Sequence, residues 1–149
     1  MPSRNSLINR LKQLFESQKL TVLATQEPDH PYLSLMAFAF TDDLGSLIVA
    51  TRRETRKYSN LMNRPGVSVL IDNRSNQENV FQNTLAVTGI GQAEEIEGEE
   101  KGLLKELFLQ SHPELEAFVQ SPECALIKIT MDCYYIISQF QEVETLKMT

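Results

Sequence analysis

The stretch TRRETRKYSNLMNRPGVSVLI, Thr51 to Ile71, joins the end of one buried strand to the start of the next through a short helix. The apolar run SLIVAT (Ser46 to Thr51) leads into it, and Arg64-Pro65-Gly66 precedes the strand VSVLI. Between them Thr55 is placed as a helix N-cap, and Tyr58, Leu61 and Met62 form a buried stripe. A helix start presents unpaired N–H groups and the positive end of a dipole, which suits an anion. Thr51 and Thr55 add hydroxyl donors, lysine a compact charge and arginine a planar fork that matches phosphate oxygens. Arg52, Arg53, Arg56 and Lys57 cannot all meet one phosphate: at helical spacing Arg53 and Lys57 share one side, Arg52 and Arg56 another. The same run also reads as a solvated basic face in which Glu54 pairs with a neighbour.

Before this stretch, Leu7, Ile8, Leu11, Leu14 and Phe15 mark one face of a helix over residues 3–17. LTVLAT (Leu20 to Thr25), the turn QEPDHP and YLSLMAFAF (Tyr32 to Phe40) read as a hairpin. Both faces of the second strand are largely apolar, which predicts an interior strand covered on both sides. After the stretch, a polar loop over 72–83 leads to TLAVTGIGQAEEI, where Gly89 and Gly91 predict a bulge in a long, bent strand. Residues 98–110 return to helical period, His112-Pro113 interrupts, and a short helical turn follows over 114–119. CALIKITMD and YYIISQF read as the last two strands. Strands joined by short turns imply an antiparallel sheet, and six or seven of them close most economically as a barrel, here with two or three peripheral helices.

The length of 149 residues predicts a single domain, 1–149. The net charge of −6 argues against a general nucleic-acid binder and against attachment to anionic lipid. The apolar run Leu33 to Phe40 is too short to span a bilayer, and MPSRNSLINR has no signal-peptide core, so the expected location is cytoplasmic. Cys124 and Cys133 sit on separate expected strands without a redox spacing and read as inert thiols. His30 and His112 have no zinc spacing and read as surface or capping residues, so no metal is expected. Glu94, Glu95, Glu97, Glu99 and Glu100 read as a solvated helix start that favours the dipole. Tyr134 and Tyr135 read as packing residues. No Ser-His-Asp set or carboxylate pair stands out, and no catalytic residue is assigned.

The chain resembles the FMN-binding split-barrel family, whose best-known member is pyridoxamine 5′-phosphate oxidase. The resemblance runs from LTVLAT to YYIISQF. It is carried by the strand ending in Thr51, the T-R-K at Thr55 to Lys57, the turn Asn63-Arg64-Pro65 and the strand end GQAEEI (Gly91 to Ile96). It implies a mainly β (α+β) fold, an antiparallel split β-barrel, with FMN as cofactor. The phosphate is then expected at Thr51, Thr55, Arg56 and Lys57, with Arg53 beside them. The ring is expected along Ser34, Leu35, Met36 and Ala37, whose backbone meets its pyrimidine edge. The resemblance further implies a homodimer with the flavin in the interface, completed by Asn73-Arg74 or by the segment Tyr135 to Phe140 of the other subunit.

The departures are as informative. The oxidases' substrate lysine at the end of the second strand falls on Phe40, and their Tyr-x-x-x-Arg-Pro on Phe108, His112 and Pro113. A flavin-contacting glutamine falls on Ala86. The resemblance therefore implies a flavin-dependent oxidoreductase acting on some other small molecule, with a nicotinamide as one electron donor, rather than pyridoxal phosphate synthesis. The alternative is a flavin electron carrier without turnover, or a haem-handling protein of the same fold. If the phosphate assignment holds, Lys57→Ala and Thr55→Ala weaken FMN binding by about 1.5–3 kcal/mol, the usual size for a hydrogen bond to a charged group, and Arg52→Ala by less. Titration of FMN against the three variants checks this, and equal losses would refute the assignment.

Overall fold

The computed structural model describes residues 3–74, 83–138 and 142–149. Helix α1 (Arg4–Ser17) starts at Ser3, whose hydroxyl accepts the Ser6 N–H at 3.1 Å, and buries Leu7, Leu11, Leu14 and Phe15. The strands are β1 (Leu20–Gln26), β2 (Pro31–Ala37), β3 (Ala39–Phe40), β4 (Ser46–Arg52), β5 (Gly66–Asp72), β6 (Leu85–Glu95), β7 (Cys124–Ser138) and β8 (Glu142–Lys147). Helix α2 (Arg56–Asn63) follows β4, while α3 (Glu99–Ser111), a 3-10 turn (Pro113–Leu115) and α4 (Glu116–Gln120) lie between β6 and β7. No described helix is long and apolar enough to cross a membrane.

All pairings are antiparallel, in the order β2-β1-β5-β6-β7-β4-β3, with β8 added to β7. Strand β7 is long enough to serve two partners along one edge: β4 over Cys124–Thr130 and β8 over Cys133–Ser138. The two ends of the sheet, β2 and β3, are consecutive in sequence and separated only by Phe38. One segment thus begins paired to β1 and finishes paired to β4, which curls the sheet into a barrel. The inner face and α1 form one core, which includes Leu11, Phe15, Leu23, Val69, Val87, Ile129 and Tyr134. A second, smaller core lies outside the barrel, where α3 and α4 cover Ile48, Ala50 and Leu126 with Phe108 and Val119.

The split-barrel fold is as expected, and the differences have identifiable causes. The expected interior strand Tyr32 to Phe40 is an edge strand broken at Phe38, and Leu33 and Leu35 are 65% and 66% exposed. Its two apolar faces reflect a barrel interior on one side and an uncovered surface on the other. The expected last two strands are one strand, so Cys124 and Cys133 share β7, the first buried and the second half-buried. A register shift at Ile90/Gly91 leaves Asp132 as the extra residue, and its carbonyl accepts the Met148 N–H at 2.9 Å. The bulge is therefore opposite the glycines, on β7. Strand β8 was not anticipated.

Gly91 is required by close approach: a Cβ there would lie 2.5 Å from the Thr130 carbonyl oxygen. Gly102, inside α3, has open space where its Cβ would be. Gly91→Ala should destabilise the protein by about 1–3 kcal/mol through overpacking. Gly102→Ala should stabilise it by about 0.5–1 kcal/mol through helix propensity. Urea unfolding of both variants checks the opposite signs.

Candidate functional site

The ladder between β3 and β4 pairs Phe40 with Leu47 and Ala39 with Ile48. Continued backwards in the same register, it would set Ala37, Met36 and Leu35 opposite Ala50, Thr51 and Arg52. The strands instead diverge at Phe38, because β2 turns to pair with β1. A cleft of about 320 Å³ opens between them, and those six residues line it, together with Thr55, Lys57, Phe108, Leu115 and Phe118. It is the split in the barrel, with strand edges on two sides, a helix start at one end and an apolar wall from α3, the 3-10 turn and α4. Its volume falls at the lower end of small-ligand sites.

The helix start is built as its residue types suggest. The Thr55 hydroxyl accepts the Tyr58 N–H at 3.3 Å and donates to the Arg52 carbonyl at 2.8 Å. The Thr51 hydroxyl lies 3.1 Å from it. This leaves the N–H groups of Arg56 and Lys57, at the first two helical positions, unclaimed among the described residues.

The four bases separate sharply. Arg52 pairs with Glu123 at 2.5 Å and Glu54 at 3.1 Å, the latter as expected for a solvated face. Arg53 pairs with Glu95 at 2.5 Å and donates to the Pro122 carbonyl at 2.8 Å. Arg56 pairs with Glu27 at 3.3 Å and lies over the Tyr32 ring, 5.5 Å from its centroid. Lys57 makes no hydrogen bond or ion pair among the described residues, and it lines the cleft.

Of the nine expected cofactor residues, Leu35, Met36, Ala37, Thr51, Thr55 and Lys57 are brought together. Ser34, Arg53 and Arg56 do not line the cleft. Arg52, Ala50 and the wall of Phe108, Leu115 and Phe118 were not anticipated there. The apolar helical face at Phe108 was visible, but nothing in sequence tied it to the strand end at Thr51.

Two other expectations change. His112, expected at a surface or cap, does cap α3 but is only 3% exposed, with Nε2 2.7 Å from the Phe38 carbonyl oxygen. It satisfies the carbonyl left without a ladder partner where the strand breaks. His30 is exposed beside Asp29 and Glu27. Neither histidine lines the cleft, and no group of His, Cys, Asp or Glu among the described residues could hold a metal ion. Glu95 is also no part of a solvated helix start, because it accepts from Tyr58 Oη at 2.5 Å as well as from Arg53.

A split barrel with the start of a helix at its split is the class defined by this geometry. The sequence matches the family model for pyridoxamine 5′-phosphate oxidase over residues 7–134, and the chain belongs to that family. Among solved structures it is similar to a heme binding protein from Mycobacterium smegmatis (TM-score 0.85, 16% identity), covering 99% of this chain and 59% of that one. It is also similar to General Stress Protein 26 from Bacillus anthracis str. Sterne (TM-score 0.73, 26% identity), covering 95% and 98%. A putative pyridoxamine 5′-phosphate oxidase from Listeria innocua matches at TM-score 0.70 and 20% identity, covering 88% and 98%. No curated protein matches the sequence.

Burial pushes the Glu95 carboxyl up, but hydrogen bonds from Arg53 and Tyr58 outweigh it and hold the group below its ordinary range. Such a group stabilises the fold above its unfolded-state pKa, and that contribution is lost as pH falls through the depressed folded value. Glu95→Gln should therefore cost about 1–3 kcal/mol at neutral pH, with the gap to the parent protein narrowing as pH falls below the ordinary glutamate range. Urea unfolding across acidic pH measures both the gap and its closure.

Proposed function

We propose that the protein binds FMN in the cleft and acts as an FMN-dependent oxidoreductase on a small molecule. The observation that carries this reading is the isolation of Lys57. Among the described residues, three of the four bases around the cleft are matched by carboxylates, and the unmatched one faces the cleft beside two hydroxyls and two N–H groups without a partner. That donor set fits a phosphate monoester, with Thr51, Lys57 and the two N–H groups as its ligands and the Thr55 hydroxyl joining them once it turns from the Arg52 carbonyl.

The rest of the cleft fits a planar heteroaromatic ring. The edges of β2 and β4 that face the split have no strand partner there among the described residues, so their N–H and C=O groups suit the polar rim of such a ring. Phe108, Leu115 and Phe118 supply the apolar wall. When bound, FMN supplies the electron or hydride transfer, and the protein supplies binding, orientation and exclusion of water. Pyridoxal phosphate is not the proposed product: Phe40 brings no charge, and Nε2 of His112 is committed to Phe38. A haem reading gains no support from the two histidines, which lie outside the cleft.

The same reading makes the protein a homodimer. Leu20, Leu33, Leu35 and Leu70 are exposed on the outer face of β1, β2 and β5, where Val22 pairs with both Leu35 and Leu70. Asp72 and Arg74 lie beside this apolar surface, which accords with the expected partner contact at Asn73-Arg74. Tyr135 is exposed on β7, whereas residues 139–140 of the other expected contact lie outside the described residues.

An absorbance spectrum of the purified protein, with mass analysis of the released chromophore, tests the cofactor. Flavin bands and the mass of FMN are expected, with oxidation of a reduced nicotinamide separating an enzyme from a carrier. A colourless protein that does not take up added FMN would overturn the reading.

A further inference from the structure

The apolar wall of the cleft comes from α3, the 3-10 turn and α4, and it bends at one residue. His112 ends α3 and begins the turn, with φ −134° and ψ 63°. Its N–H donates to the Phe108 carbonyl at 3.0 Å, and its own carbonyl accepts the Leu115 N–H at 3.0 Å. Its ring meets the Phe108 ring, with centroids 5.0 Å apart. Phe108 and Leu115 both line the cleft. Each is therefore located by a direct contact with His112.

A further contact crosses to the sheet. Nε2 lies 2.7 Å from the carbonyl oxygen of Phe38, and a carbonyl only accepts, so Nε2 carries the ring hydrogen. Phe38 is where β2 gives way to β3, and Leu35, Met36 and Ala37 just before it line the cleft from the sheet side. One buried side chain thus joins the wall to the pivot of the strand that opens the split. The imidazole also borders a second cavity of about 210 Å³, shared with Phe38, Phe40 and Ser111. Packing is incomplete on that side, so the bond to Phe38 supplies the positioning that a filled core would otherwise give.

We infer that His112 is a positioning residue of the cleft: its bond to Phe38 sets the separation between the apolar wall and β2, and thereby the fit of a flat ring between them. The residue touches no ligand itself, since it does not line the cleft. Without the bond, the Phe38 carbonyl loses its donor and the wall is free to take several separations. A wall in the binding-competent position about one fifth of the time weakens ring binding about fivefold and leaves the phosphate end untouched. This rests on the flavin reading above.

Titration of the full chain with FMN and with riboflavin, which lacks the phosphate, separates the two ends of the cleft, with flavin fluorescence as the signal. The proteins are the parent, His112→Leu, His112→Gln and Lys57→Ala, each verified as folded by thermal unfolding. His112→Leu should bind both flavins about fivefold more weakly, leaving the ratio of the two affinities unchanged. His112→Gln, whose amide nitrogen replaces Nε2 as donor, should stay within about twofold of the parent. Lys57→Ala should weaken FMN alone and lower that ratio. A folded His112→Leu protein that binds riboflavin like the parent would overturn the proposal, as would a loss confined to FMN or a Gln variant as weak as the Leu variant. Should His112→Leu fail to fold, nitrogen-15 NMR of the parent decides. The His112 Nε2–H resonance is expected to shift when riboflavin is added and to stay in place with inorganic phosphate, and a resonance unmoved by riboflavin refutes the positioning role. If the parent binds neither flavin, the cofactor reading falls and takes the proposal with it. If it binds both and Lys57→Ala alone is without effect, the phosphate assignment falls and the positioning role stands.

Discussion

The structure depends on the inability of one strand to keep two partners. Between Pro31 and Phe40 the chain pairs first with β1 and then with β4, and the change falls on Phe38. Continuous pairing with β4 would close the barrel completely; continuous pairing with β1 would leave it an open sheet. The compromise exposes backbone hydrogen-bonding groups along the split, which in a barrel interior are too costly to leave unsatisfied. Around the break the structure compensates locally. His112 satisfies the Phe38 carbonyl, and Phe15 meets Phe38 and Phe40 edge-on, with ring centroids 5.9 and 5.6 Å away. Before Phe38, from Ala37 back, no such compensation exists among the described residues, and there the cleft begins.

Charge placement follows from the same geometry. The chain is acidic, yet its densest basic run sits where β4 ends at the split. Those bases would repel one another in a bare loop. Carboxylates from the β1–β2 turn, β6 and the segment before β7 converge on them, leaving Lys57 as the base of this run with no carboxylate among the described residues. The positive field is thereby concentrated at one point beside low-dielectric walls, where a single charge acts more strongly than several diffuse ones in water.

What the sequence made legible was local chemistry. The Thr55 cap, the buried face of α1, the bulge near the glycines and the buried Tyr134 all follow from residue type and spacing. What it hid was anything decided by distant partners. The carboxylates that neutralise Arg53 and Arg52 lie 42 and 71 positions away, so the basic run alone could not say which base faces the cleft. The break at Phe38 left no trace because apolar residues continue on both sides. The bulge at Asp132 looked like a turn because one polar residue interrupts an apolar run. Leu44, at a φ of 61°, carries no residue-type signal at all: burial and the Tyr134 hydroxyl, 2.8 Å from its carbonyl, hold it there.

Leu35 ties these features together. It lines the cleft on one side, and on the other it stands among Leu20, Val22 and Leu70 on the uncovered face of the sheet. An edge strand cannot separate the two surfaces, because its free edge is the rim of both. In the proposed dimer, a partner over the apolar face would therefore also narrow the mouth of the cleft and lower the dielectric around Thr51, Thr55 and Lys57. Assembly and ligand binding would then be linked: a partner that buried Leu33 and Leu35 would strengthen every polar contact in the split, and a ligand that fixed β2 would stiffen the surface that the partner meets. The coupling needs no moving element. It would follow from a binding site placed where a barrel fails to close.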